Sequence, residues 1–141
     1  MNAAYLEARR WFQQAQADLR VIQTLIDAGH YAATCFHCQQ AAEKALKALL
    51  YSQGKRVVLG HSIRDLARQC EAYHPQFAGI KDEAALLDQF YIPTRYPNGL
   101  PSPAIPDEAY TQTQAKSAMA AVKHSLSMVE TFLRQHTPVL D

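Results

Sequence analysis

Arg95 lies in the segment Tyr91-Ile92-Pro93-Thr94-Arg95-Tyr96-Pro97, which sets a guanidinium and two tyrosines around two prolines. A guanidinium is a planar fork of donors that matches a phosphate or a carboxylate, and the tyrosines add hydroxyls and stacking faces. Each proline fixes its own φ and restricts the residue before it, here Ile92 and Tyr96, so Arg95 is carried on a pre-set backbone. On the residues alone two readings stay open. One is an anion site. The other is an arginine that closes the end of the fold by pairing with an internal acid such as Asp18, Glu43 or Asp88.

Three further constellations carry possible chemistry. Gln40, Glu43 and Lys47 recur at three- and four-residue intervals, with Lys44 beside them, so on a helix they share one side. Between Lys44 and Arg68 the basic residues Lys44, Lys47, Lys55, Arg56, Arg64 and Arg68 meet a single acid, Asp65, with His61 in their midst. Such a patch attracts phosphate, and the competing reading is a solvated helix face. Cys35-x-x-Cys38 encloses His37, but it has neither a helix N-terminus nor two further ligands at workable spacing, and Cys70 stands apart. Small buried thiols are the better reading, and no metal or cofactor is expected.

The elements that must position these groups are helical. Tyr5, Ala8, Phe12, Ala15, Leu19, Ile22 and Ile26 mark one face of a helix closed by Gly29, with Asp18 at the flank of the buried stripe. Cys35, Cys38, Ala42, Ala45, Leu46 and Leu49 mark a second, from about Tyr31 to Ser52. Ser62 and Asp65 open a third, just after His61, that runs to about Tyr73. Phe77, Ile80, Ala84, Leu87 and Tyr91 predict a fourth from Phe77 to about Tyr91. An exposed proline-rich loop at 93–106 precedes a last helix, from about Asp107 to Gln135, striped by Ala115, Met119, Val122, Leu126, Val129 and Leu133. The expected fold is all-α: one antiparallel up-and-down bundle of about five helices over 1–141, three long and two shorter.

Bulk properties bound the function. The 141 residues suffice for one core, and 48% apolar with 19% charged residues is ordinary for a globular domain. A net charge of +1 gives no global attraction to nucleic acid. No apolar run is long enough for a bilayer, the N-terminus lacks a leader pattern, and three cysteines form no framework, so a reduced, cytoplasmic protein is expected.

Five segments in order resemble the HEPN domain family. They are Ala17-Asp18-Leu19, Gly29-His30-Tyr31, Gln39-Gln40-Ala41-Ala42-Glu43-Lys44-Ala45-Leu46-Lys47, Gly60-His61-Ser62-Ile63 and Tyr91 to Pro97, within a likeness running from about Ala8 to Arg134. The resemblance implies a homodimeric all-α protein of the small stand-alone prokaryotic type, often paired with a minimal nucleotidyltransferase in a toxin-antitoxin-like system. Family members bind nucleotides or act as metal-independent RNases. In the RNases an arginine is followed, after four to six residues, by a histidine. Arg95 matches the arginine, but Leu100, Pro101 and Ser102 stand where the histidine would fall.

The implied function is therefore a module that binds nucleotide or RNA phosphate through Arg95, Tyr96, Tyr91, Lys47, Lys44, Glu43, Gln40 and His61, supported by Asp18 and Asp88. The resemblance sets Gln40, Glu43, Lys44 and Lys47 near Arg95, with Glu43 holding Arg95 or His61. An alternative is a metal-independent endoribonuclease with Arg95 and His61 as the catalytic pair, because an arginine stabilises phosphate charge well but is a poor base. A further alternative is a structural dimer with a salt-bridged polar cluster.

Overall fold

The computed structural model describes residues 2–136. Helix α1 (Ala3–Asp27) starts where the Asn2 side chain accepts the Tyr5 amide at 2.7 Å, satisfying one of the free donors of the first turn. It ends at Gly29, whose φ of 82° lies where a side chain is disfavoured. The short turn there brings α2 (Tyr31–Ser52) back along α1.

Helix α2 is the axis of the fold. It packs against α1, against α6 (Gln112–His136) and against α3 (Ile63–Glu71), and 15 of its 22 residues are buried, so a one-sided amphipathic stripe would not describe it. Ala41, Ala42, Ala45 and Ala48 are fully enclosed and allow close approach of the neighbouring backbones. Larger side chains such as Phe12, Leu46, Leu49, Phe77 and Phe132 fill the remaining space, each contributing about 1.5–3 kcal/mol by burial.

The remaining elements are a 3-10 turn at Pro75–Ile80, α4 (Lys81–Asp88), a second 3-10 turn at Pro97–Gly99, and the single-turn α5 (Pro106–Ala109). The protein is an all-helical bundle, and no strand occurs among the described residues. No helix among them is long and apolar enough to cross a membrane.

Two boundaries differ from expectation. The predicted helix from Phe77 to Tyr91 is a 3-10 turn followed by a short α4 that stops at Asp88, which releases Tyr91 into a turn. That turn is held by the Arg95 and Tyr96 amides, which donate to the Ile92 carbonyl at 3.0 and 3.2 Å, and by the buried Thr94 hydroxyl, which donates to the Phe90 carbonyl. The last helix starts at Gln112 rather than Asp107. Tyr110 is extended, and Thr111 forms a reciprocal cap: its hydroxyl accepts the Gln114 amide at 3.2 Å, and the Gln114 side chain accepts the Thr111 amide at 2.8 Å.

Candidate functional site

The α2 row that carries Phe36, Gln39 and Gln40, Glu43 and Lys47 meets two loop segments, one ahead of α3 and one after α4. Glu43 is the junction. Its carboxylate is buried, and both oxygens are partnered: Lys47 Nζ lies 3.1 Å from Oε2, while His61 Nδ1 at 3.0 Å and Gln39 Nε2 at 3.3 Å share Oε1. A buried carboxylate is tolerable only when paired and hydrogen-bonded in this way. Lys47 is correspondingly enclosed, with its ammonium 5.7 Å from the Trp11 ring centre. Expected to supply charge to a phosphate, Lys47 instead has its charge engaged by Glu43.

His61 is positioned three ways. Gly60, with φ of 97°, turns the chain into it; Gln39 Nε2 donates to its carbonyl at 2.9 Å; and its imidazole stacks on Tyr91 at 4.7 Å with 18° between the planes. A carboxylate only accepts, so Nδ1 carries the proton toward Glu43 and Nε2 is left as the acceptor in the neutral ring. More than half of the His61 side chain is exposed. This is a histidine–carboxylate pair with one nitrogen available to solvent.

Arg95 is held differently. Its Nε donates to the Tyr91 carbonyl at 2.9 Å, and its Cζ lies 4.4, 4.9 and 5.1 Å from the ring centres of Phe36, Tyr91 and Tyr96. Three aromatic rings surround the guanidinium, and among the described residues no carboxylate pairs with it. The closing ion pair considered above does not form, because each expected acid is engaged elsewhere. Asp18 takes Lys44 at 2.7 Å and Gln14 at 2.9 Å, Glu43 takes Lys47 and His61, and Asp88 accepts from the Ser62 hydroxyl and the Arg64 amide at 3.1 Å each and from the Ile63 amide.

The sequence-selected residues thus fall into groups. Arg95, Tyr96, Tyr91, His61, Glu43 and Lys47 form one connected run. Gln40 touches it indirectly, donating to Gln39 at 2.7 Å. Lys44 and Asp18 make a separate pair on the α1 side, and Asp88 caps α3. A cleft of about 490 Å³ opens beside Arg95, lined also by Phe36, His37, Thr94, Ile105 and Asp107. Burial pushes the His37 imidazole below its usual 6.5, a drop that Lys44 reinforces and Asp18 opposes, so the ring facing that cleft is neutral at pH 7.

Phe36, His37 and Gln39 were not singled out as site residues from sequence. Phe36 lies one turn before Gln40 in the same row, which was a usable signal. Gln39 gave none. The three thiols are buried: desolvation lifts Cys35 and Cys70 to about 12 and Cys38 higher still, so they are protonated packing groups at neutral pH. No group of three or more metal-ligating side chains occurs among the described residues.

Comparison with known proteins agrees with this architecture. TT1696 from Thermus thermophilus is 39% identical, with a TM-score of 0.78 over 89% of this chain and 97% of that one. The archaeal HEPN homologue ST0689 is 33% identical, with a TM-score of 0.74 over 94% of this chain and 99% of that one. "Putative toxin MJ1304" of Methanocaldococcus jannaschii is 24% identical over 135 residues, which span 91% of this chain and 89% of that protein. Human sacsin is 30% identical over 138 residues; these cover 92% of this chain but 3% of sacsin. The HEPN domain profile matches residues 8–132, and this chain belongs to the HEPN domain family.

Proposed function

We propose that this HEPN domain binds the phosphate of RNA or a nucleotide at the Arg95 cluster, as the HEPN component of a toxin-antitoxin-like pair with a nucleotidyltransferase. The observation that carries the reading is the exposed Arg95 guanidinium, held flat by Phe36, Tyr91 and Tyr96 and left without a carboxylate among the described residues. A guanidinium held this way offers its free edge to phosphate, and the exposed Tyr96 ring offers a stacking face for a base. Glu43, Lys47 and Gln39 serve by holding His61 beside it. The toxin name of the M. jannaschii relative supports the pairing, and the domain acts as a homodimer in this reading.

A second reading is favoured by the His61–Glu43 pair: a metal-independent endoribonuclease, in which His61 Nε2 takes the 2′-hydroxyl proton and Arg95 stabilises the charged phosphate. Labelled RNA incubated in chelator with the parent protein, Arg95→Ala and His61→Ala separates the two. Binding lost in Arg95→Ala without any cleavage by the parent supports the binding module. Cleavage abolished by either substitution establishes the nuclease. Unchanged RNA and nucleotide affinity in Arg95→Ala refutes the binding module, and intact RNA after incubation with the parent refutes the nuclease.

A further inference from the structure

The basic stretch seen in the sequence is divided by the fold. Lys44 and Lys47 are neutralised by Asp18 and Glu43, and Lys55 reaches Gln69 at 3.5 Å. Arg64 and Arg68 are not engaged in this way. They sit one turn apart on α3 and, with Lys81 from the start of α4, line a cleft of about 280 Å³ whose walls include Glu71 and Phe77.

All three cations are exposed residues, and among the described residues none has a carboxylate within ion-pair distance or a side-chain hydrogen bond. Glu71 is the one acid in the lining and stands three residues beyond Arg68, yet it does not pair with it. Of the acids nearby, Asp65 is engaged with Gln69 at 2.9 Å, Glu83 with His124 at 2.8 Å and Asp88 with the α3 amides, while Asp82 follows Lys81 in the chain and does not line the cleft. Two like charges at i and i+4 oppose helix formation unless something neutralises them. A bound anion does so, and guanidinium pairs suit phosphate geometry.

We propose that the α3–α4 cleft is a second anion site, built by Arg64, Arg68 and Lys81, that takes a phosphate or diphosphate group. It shares no lining residue with the cleft beside Arg95 and stands whether or not the proposed function holds. The volume lies below the 300–1,000 Å³ usual for a complete drug-sized ligand, so it suits the phosphate end of a molecule rather than a whole nucleotide. The source is either free pyrophosphate or the terminal phosphates of a nucleotide.

Calorimetry at low ionic strength with pyrophosphate, ATP and adenosine tests this on the parent protein, Arg68→Gln, Lys81→Gln and Arg95→Ala. Pyrophosphate binding that falls about tenfold in each of the first two variants and less than about twofold in Arg95→Ala is expected, from the worth of one charge-assisted contact. Measured in Arg95→Ala, where the first site is removed, equal affinity for pyrophosphate and ATP identifies free phosphate as sufficient, whereas tighter ATP identifies the nucleotide end; adenosine does not bind that variant in either case. Absence of pyrophosphate binding by the parent, unchanged affinity in Arg68→Gln, or equal loss in Arg68→Gln and Arg95→Ala overturns the assignment. The substituted side chains are exposed, and circular dichroism of each variant confirms that the fold is kept.

Discussion

Glu43→Gln removes a charge and almost no volume from the centre of the polar run, and its effect follows from the partners of that carboxylate. Lys47 and Glu43 side chains are 7% and 9% exposed, with 3.1 Å between charged atoms. Breaking one half of a buried pair costs about 3–5 kcal/mol, because the other charge is left without a counter-ion. The Trp11 face, 5.7 Å from the ammonium, is present in parent and variant alike and does not change this difference, so a loss of about 3–5 kcal/mol is expected. A second substitution, Lys47→Met, removes the stranded charge, so the double variant recovers most of the loss. Urea unfolding of the parent, both single variants and the double variant gives the coupling directly, expected at about 1.5 kcal/mol or more. A Glu43→Gln loss under about 1 kcal/mol, or additive singles, would refute the picture of a mutually neutralised buried pair.

Other expectations are narrower. Thr111→Ala loses the reciprocal cap of α6 and is expected to cost about 1 kcal/mol in urea unfolding with an unchanged slope. Arg95→Lys keeps the charge but not the flat face that Phe36, Tyr91 and Tyr96 contact, so RNA affinity measured by fluorescence anisotropy falls about tenfold while the melting temperature is retained. Cys35 and Cys70 rise from 9.0 to about 12 on folding, so their contribution to stability is complete below pH 9 and is lost as pH climbs toward 12. The His37 imidazole is depressed below 6.5, so its contribution is present above pH 6.5 and is lost as pH falls through its folded value. Urea midpoints across pH check both limbs, and slow alkylation of the native thiols at pH 8, with rapid reaction on unfolding, checks the burial of the cysteines.

The long helices were legible because their faces repeat over many turns and end at Gly29 and near Gly54. Local competition blurred the rest. Phe77 and Ile80 are three apart, a spacing that suits a 3-10 turn as well as an α-helix, so the start of the fourth helix was misplaced. Pro106-Asp107-Glu108 resembles a helix start and makes one turn, but Thr111-x-x-Gln114 supplies the stronger signal five residues later in the chain from Pro106. In the site, the prolines and tyrosines around Arg95 were visible, while its immediate company was not. Three acids were open to it, and partners on or beside their own helices took all three. Phe36 shares the helical row of Gln40, Glu43 and Lys47, but the row does not say which loop will be brought against it. Gln39 became visible only when the Gly60–His61 turn was brought against α2.

His61 and Arg95 sit in different environments. His61 gives one nitrogen to a buried carboxylate, whereas Arg95 lies among aromatic rings with no carboxylate partner among the described residues. Tyr91 touches both, so any ligand that shifts one side chain is felt by the other through a single ring. Their dependence on the fold also differs. His61 is anchored by buried Glu43 and Gln39, so changes to that anchor alter stability and the placement of His61 together. The cation is anchored by a turn and by rings at the surface, of which Phe36 belongs to α2, and it makes no hydrogen bond to the buried Glu43–Lys47 pair. Arg95 substitutions consequently report on ligand binding with little contribution from folding, and Glu43 substitutions require the Lys47→Met background before any loss of activity is assigned to His61.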